Sequence, residues 1–310
     1  TNIQYIKKPT KINKSFASVL PQIDIQIISQ VADLLINSKK PIIYAGGGVV
    51  NAGLEASNLL TELVNLLEAP VTLTLMGLGA VSNKNKNFLG MLGMHGTYEA
   101  NLAMHNCDVR LNAFAPKSKK IHIDIDKSSI NKVVHVDFGI VGDCKEVLSL
   151  LIKEIKKSHN IKSMQSKSSW WDQINNWRAK NSLGFIQGAT TIKPQQAIKS
   201  LYEKTIDKDT YVTTEVGQHQ MWAAQYFGFT DPKHWMTSGG LGTMGYGLPS
   251  SVGVQIAHPK SLVIDISGEA SFLMNMQELS TIVQYNLPIK VFILNNQWMG
   301  MVRQWQELNH

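Results

Sequence analysis

Apolar and polar positions along the chain keep two rhythms. Apolar residues three or four apart predict helices over QIDIQIISQVADLLINS (Ile27, Ile28, Val31, Leu34 and Leu35 on one face), LEASNLLTELVNLLEA, TYEANLAMHN and KEVLSLLIKEIKK. Between them, short β-branched runs predict strands at Pro41–Ala45 (PIIYA), 71–75 (VTLTL) and 121–126 (IHIDID), with an abrupt further strand starting at Cys107-Asp108-Val109. Beyond residue 190 the alternation resumes. It gives a helix over QQAIKSLYEK, a strand TYVTTEV, a helix MWAAQYF, and then LVIDIS (262–267) and IKVFIL (289–294) flanking a helix with Phe272, Met276, Leu279 and Val283 on one face; a short helix follows Met299. Strands joined through helices must run parallel, so the expected fold is α/β with two doubly wound parallel-sheet domains.

Polar stretches without periodicity set the expected boundaries. Residues 1–20 read as a linker, 21–157 as the first domain and 158–190 as a linker. That linker carries a Trp-rich helix whose Trp170, Trp171 and Trp177 read as packing anchors. Residues 191–310 form the second domain.

Composition narrows the functional classes. With 310 residues, 44% hydrophobic and 17% charged, the chain supports two cores. The net charge of +7 is spread over separate lysine pairs, not gathered in a stripe, so nucleic-acid binding is not expected. Two cysteines, Cys107 and Cys144, are too few for a disulfide scaffold. No apolar run has the length of a membrane span, and a soluble, cytoplasmic protein without membrane attachment is expected.

Candidate chemistry gathers where strands end. Glu269 and Asn296 each lie just past a parallel strand, where open α/β sheets bind ligands. Their oxygens suit a small hard cation such as magnesium, and the amides of Ala270 and Ser271, after Gly268, suit a phosphate beside it. Gln218 and His219 follow another strand and open a helix, which also suits an anionic group. Gly46-Gly47-Gly48 after the first strand reads either as a tight turn or as a close approach to phosphate. The glycine-dense 239–249 stretch requires backbone to come close to a ligand or to another helix.

Asn296 follows Glu269 by 27 positions, a spacing that resembles the thiamin-diphosphate motif. With GLGAV, LGMHGTYEAN, KKIHIDID, TIKPQ, TEVGQHQMWAAQ, SGGLGTMGYGLPS, MNMQELSTIVQYNLP and LNNQWMGMVRQWQ in that order, the chain resembles acetohydroxyacid synthase (acetolactate synthase) catalytic subunits along essentially its whole length. The resemblance implies a flavin-binding, Rossmann-like middle domain followed by a thiamin-diphosphate domain. It implies magnesium on Glu269, Asn296 and the Trp298 carbonyl, with Glu standing where the family usually has Asp. It implies thiamin diphosphate against Gln218, His219, Gly242, Gly268, Ala270 and Ser271, with Met244 as the wedge that bends it. FAD, in a structural role, falls on Gly46, Gly47, Gly48, Thr74, Leu75, His95, Gly96, Asp124, Ile125, Asp143 and Cys144. Met301, Val302 and Trp305 fall where the family shapes its substrate pocket.

The implied reaction is decarboxylation of pyruvate and condensation with a second 2-ketoacid, pyruvate or 2-ketobutyrate. The implied assembly is a homodimer or dimer of dimers, with a possible small regulatory subunit. Related thiamin enzymes (pyruvate oxidase, glyoxylate carboligase) and a non-catalytic cofactor-binding module are the alternatives. The family's pyrimidine-binding domain, with its activating Glu, has no match here. A glycine-arginine-aspartate stretch is missing between Val109 and Arg110, and the family's closing C-terminal segment lies beyond His310. Part of a larger polypeptide is therefore expected, which an intact mass near 34 kDa would contradict.

Overall fold

The computed structural model describes residues 22–111, 118–158 and 166–309, with only the backbone of Arg110 and Leu111. The expected linker at 1–20, most of the turn expected after Phe114 and most of the expected Ser/Lys-rich boundary lie outside the described residues.

Among the described residues the first sheet has six strands: Pro41–Ala45 (β1), Val71–Leu73 (β2), Phe88–Met91 (β3), Val109–Leu111 (β4), Lys119–Asp124 (β5) and Phe138–Val141 (β6). All pairs are parallel, in the order β3-β2-β1-β4-β5-β6. The second sheet holds Thr210–Thr214 (β7), Trp235–Thr237 (β8), Leu262–Ser267 (β9) and Lys290–Ile293 (β10), again all parallel, in the order β10-β9-β7-β8. Both orders reverse direction part-way, as doubly wound sheets do.

The helices are Ile25–Asn37 (α1), Gly47–Ala52 (α2), Leu54–Leu66 (α3), Tyr98–Asn106 (α4), Cys144–Lys157 (α5), Ser168–Arg178 (α6), Pro194–Thr205 (α7), Gln218–Tyr226 (α8), Gly247–Ala257 (α9), Glu269–Met274 (α10), Leu279–Gln284 (α11) and Gly300–Asn309 (α12). α1, α3 and α5 bury the stripes their periodicity announces. Asp24, Thr97 and Asp143 cap α1, α4 and α5 through side-chain oxygens, which satisfies amides that have no partner in the first turn. The tryptophans of α6 are anchors: Trp170 is fully buried and donates to the Pro41 carbonyl at 3.1 Å, and Trp171 donates to that of Glu68 at 2.9 Å. α6 thus packs with α4 on the first sheet.

Several elements differ from the expectation. β3 occupies the stretch read as a glycine-methionine loop, and β6 and β8 were not foreseen. The strand read at Cys107–Val109 begins two residues later as β4, and the Asp108 carboxylate just before it accepts the amides of Lys39 (2.8 Å) and Lys40 (3.0 Å). Gly46-Gly47-Gly48 opens α2, and the glycine-dense stretch leads into α9. The single helix read across Phe272–Val283 breaks at Asn275, whose amide group donates to the Gly245 carbonyl. A tertiary bond here overrides helical periodicity. The expected apolar face is not buried: Met276, Leu279 and Val283 are exposed.

The two sheets share one core, in which Leu78, Ala80 and Val81 join Phe227, Phe229 and Trp235. Trp235 Nε1 donates to the Leu75 carbonyl at 3.0 Å. In the short turn Leu75–Gly77 after β2, the Met76 side chain lies against Gly47 on one side and fills the space over Gly239 on the other. Among the described residues no helix is long and apolar enough to cross a membrane.

Candidate functional site

In the second sheet β8 and β10 lie on opposite flanks of the β7–β9 pair, so the chain leaves β7 and β9 in opposite directions. The crevice between their carboxyl ends is where such sheets accept ligands. A cleft is found there, walled by Gly217, Gln218 and His219 after β7, by Gly268, Glu269, Ala270 and Ser271 after β9, and by Asn296 and Trp298 after β10. Met244, Met301 and Val302 complete it. The sequence-predicted residues therefore meet from four separate segments. Two do not join them: Gly242 lies outside the lining, and Trp305 of α12 is 46% exposed.

His219 is the most constrained member. A Cβ at Gly217 would lie 2.9 Å from its Cε1, and one at Gly268 2.7 Å from its Nδ1, so two glycines leave room for the ring. Burial pushes its pKa down to about 4, against the weaker opposing pull of a hydrogen bond to the Glu215 backbone. The imidazole is thus neutral at pH 7, and its buried Nε2 has no hydrogen-bond partner. A buried polar atom left unpaired calls for a ligand group to satisfy it.

Glu269 opens α10, and Asn296 stands across the cleft. The Asn296 Oδ1 accepts the Trp298 amide at 3.1 Å and its Nδ2 reaches Gln218 Oε1 at 3.4 Å, which knits the loop after β10 to the start of α8. Ser271 Oγ donates to the Val216 carbonyl at 3.1 Å, so its hydroxyl already has a partner. Among the described residues no three His, Cys, Asp or Glu side chains gather as a metal cluster. One carboxylate, one carboxamide and one carbonyl make a hard-oxygen half-set. It suits magnesium only when phosphate oxygens and water supply the other positions.

The first sheet has its own cavity at the carboxyl ends of β1 and β5. Gly46, Gly47, Gly48, Asp124, Ile125, Asp143 and Cys144 line it. Thr74 sits beside Gly46 and its buried Oγ1 has no hydrogen-bond partner, but neither Thr74 nor Leu75 lines this cavity. Burial, reinforced by the charges of Asp143 and Asp124, pushes the Cys144 thiol up to about 11, so it is not a thiolate nucleophile. His95 and Gly96 line a different hollow, between β3 and α8, where Gln225 donates to the His95 carbonyl at 2.8 Å. Burial lowers the His95 pKa.

Two acidic residues near the cleft were not singled out for a role. Glu215 and Asp265 expose none of their surface. Asp265 hides in an apolar strand run and Glu215 in a threonine-rich one; neither pattern marks a buried carboxylate.

Two family profiles match the chain. The central domain of the thiamine pyrophosphate enzymes covers residues 28–151, and their C-terminal TPP binding domain covers residues 215–310. Over 295 residues the chain is 44% identical to the acetolactate synthase large subunit of Haemophilus influenzae and to the acetolactate synthase isozyme 3 large subunit of Escherichia coli; each alignment takes in 91% of this chain and 51% of the relative. To the acetolactate synthase large subunit of Pyropia yezoensis it is 41% identical over 314 residues, with 97% and 52% covered. The chain spans about half the length of the curated relatives it matches.

Proposed function

Since the chain belongs to the thiamine pyrophosphate enzymes, carrying their central and C-terminal domains, we propose that it works within an acetolactate synthase catalytic subunit that joins pyruvate to a second 2-ketoacid, pyruvate or 2-ketobutyrate. The observation that carries this reading is the convergence of Glu269, Asn296, Gln218, His219 and Met244 on one cleft at the reversal of the second sheet.

When bound, thiamin diphosphate supplies the nucleophilic carbon and the electron sink that decarboxylation requires. The chain's residues bind, orient and seclude. Glu269, Asn296 and the Trp298 carbonyl would hold magnesium, and Gln218 and His219 would contact the diphosphate. With its other nitrogen donating to the Glu215 backbone, the neutral ring of His219 leaves Nε2 as an unpaired acceptor, which suits a donor on the bound group or a water beside it. Met244 would pack against the bound cofactor, and Met301 and Val302 would give the substrate an apolar wall that excludes water. Trp305 reaches the acceptor only if α12 turns it inward. FAD would be held as a structural group in the first-sheet cavity by Gly46, Gly47, Gly48, Asp124, Ile125, Asp143 and Cys144, with Thr74 beside Gly46. Catalytic assembly is a homodimer or dimer of dimers, and relatives named as large subunits support a smaller regulatory companion.

The test uses the full-length polypeptide with thiamin diphosphate, magnesium and pyruvate. Acetolactate should form, and Glu269→Ala with Asn296→Ala should weaken cofactor affinity by more than about 100-fold, beyond the usual loss from an outer-sphere partner. Equal cofactor uptake by the double variant would falsify the metal assignment. Oxygen consumption without acetolactate would favour an oxidase instead.

A further inference from the structure

Two carboxylates lie beneath the proposed cofactor cleft with no part in holding the cofactor. Glu215 directly follows β7 and Asp265 lies within β9; the strands pair with Thr213 opposite Asp265 and Thr214 opposite Ile266. Both side chains are fully buried, and among the described residues neither forms an ion pair. Asp265 accepts the hydroxyl of Thr213 at 3.2 Å and that of Ser267. Glu215 Oε1 accepts the Leu248 amide at 3.1 Å, with the amides of Gly245, Tyr246 and Gly247 leaning towards the same carboxylate. His219, bonded to the Glu215 backbone, is neutral.

Two full charges in so dry a place, without a cation, are far costlier than one. Glu215 Oε2 is moreover a buried acceptor that no donor meets. A proton held within the pair removes one of the two buried charges. Burial, and with it the Glu215 charge working against the Ser267 hydrogen bond, pushes Asp265 up to about 7, and burial also raises Glu215.

The first residue of α9 rests directly on this pair. A Cβ at Gly247 would fall 2.7 Å from the Thr214 carbonyl carbon and 2.8 Å from the Glu215 nitrogen. Just ahead of it the chain carries Met244 into the cleft, then turns at Gly245 (φ +85°), whose carbonyl Asn275 holds. We propose that Glu215 and Asp265 hold one proton between them, and that the remaining charge, seated under the first turn of α9, fixes where Met244 stands in the cleft. This rests on reading that cleft as the thiamin-diphosphate site. Glu215 is then a positioning residue, acting through Met244 without touching the cofactor.

The experiment uses the full-length protein. A pH-difference infrared spectrum of the wild type should show a buried protonated carboxylic acid near neutral pH that is lost as the pH rises, and Asp265→Asn should abolish the band. Affinity for thiamin diphosphate with magnesium can be followed by tryptophan emission, since Trp222 and Trp298 line the cleft. It should fall about tenfold in Glu215→Gln and comparably in Met244→Ala. The double variant should be no worse, because both changes act on one contact. Glu215→Asp, which withdraws the charge by one methylene, takes its place in the cycle if Glu215→Gln does not fold. Additive losses, undiminished affinity in the Glu215 variant, or a missing carboxylic-acid band overturn the proposal. Failure of the wild type to bind thiamin diphosphate sinks the cofactor reading instead, and the infrared band still decides whether the proton is shared.

Discussion

At Asp265 the environment reverses an ordinary carboxylate. Its usual pKa of 3.8 rises to about 7 in the fold, first through burial. Between those values the native chain keeps a proton that the unfolded chain has released. The stability this contributes is complete below pH 4 and is lost as the pH climbs through 7. Replacing Asp265 by Asn removes that titration. The stability of the wild type relative to Asp265→Asn, measured by denaturant unfolding, should therefore fall across pH 4–7 and level off above; a flat difference would refute the assignment. Legibility at this scale is uneven for a physical reason. That Glu269 and Asn296 meet in one cleft was legible because both follow neighbouring parallel strands, whose carboxyl ends face the same crevice. Asp265 sits inside an apolar run, and periodicity cannot tell a buried acid from an exposed one. His219 is intermediate: its place was readable, but the slot formed by Gly217 and Gly268 exists only once β7 and β9 are neighbours.

Among the elements, long helical stripes and unbroken β-branched runs were readable, even where the strand itself is as short as β2 or β10, and short strands without such a run were not. α1, α3 and α5 each present enough turns for periodicity to emerge, and β9 is a six-residue buried run. β3, β6 and β8 are three or four residues long, and Gly90 and Gly139 interrupt two of them. They are strands because a neighbouring parallel strand offers its free backbone groups, which is tertiary information. The break between α10 and α11 has the same origin, since the Asn275 side chain prefers the Gly245 carbonyl to a helical role. Asn275→Ala should free that carbonyl and cost about 1 kcal/mol in denaturant unfolding. It should also weaken thiamin diphosphate binding, because the turn after Met244 loses a tether. Full retention of both properties would show that the break owes nothing to this bond.

Over the whole molecule, two sheets of different strand number meet along one apolar seam, and their turns interlock. Gly79 has φ +87°, and a Cβ there would come 2.9 Å from the Asp231 carbonyl carbon, across the seam. Gly79→Ala should therefore combine backbone strain with a collision, a loss of about 1–3 kcal/mol. Calorimetry should show a lower midpoint for the whole transition; an unchanged midpoint would mean that the seam is loose. None of this was visible in the chain, because turns that touch across a seam leave no periodic trace. The thioether of Met76 takes the seam one step further. Its side chain lies against Gly47 at the start of α2 and fills the space over Gly239, in the glycine-dense stretch that leads to α9. Any parting of the sheets at Leu75–Gly77 must withdraw that side chain from one of the two glycines, so a hinge that leaves both contacts whole lies elsewhere in the chain.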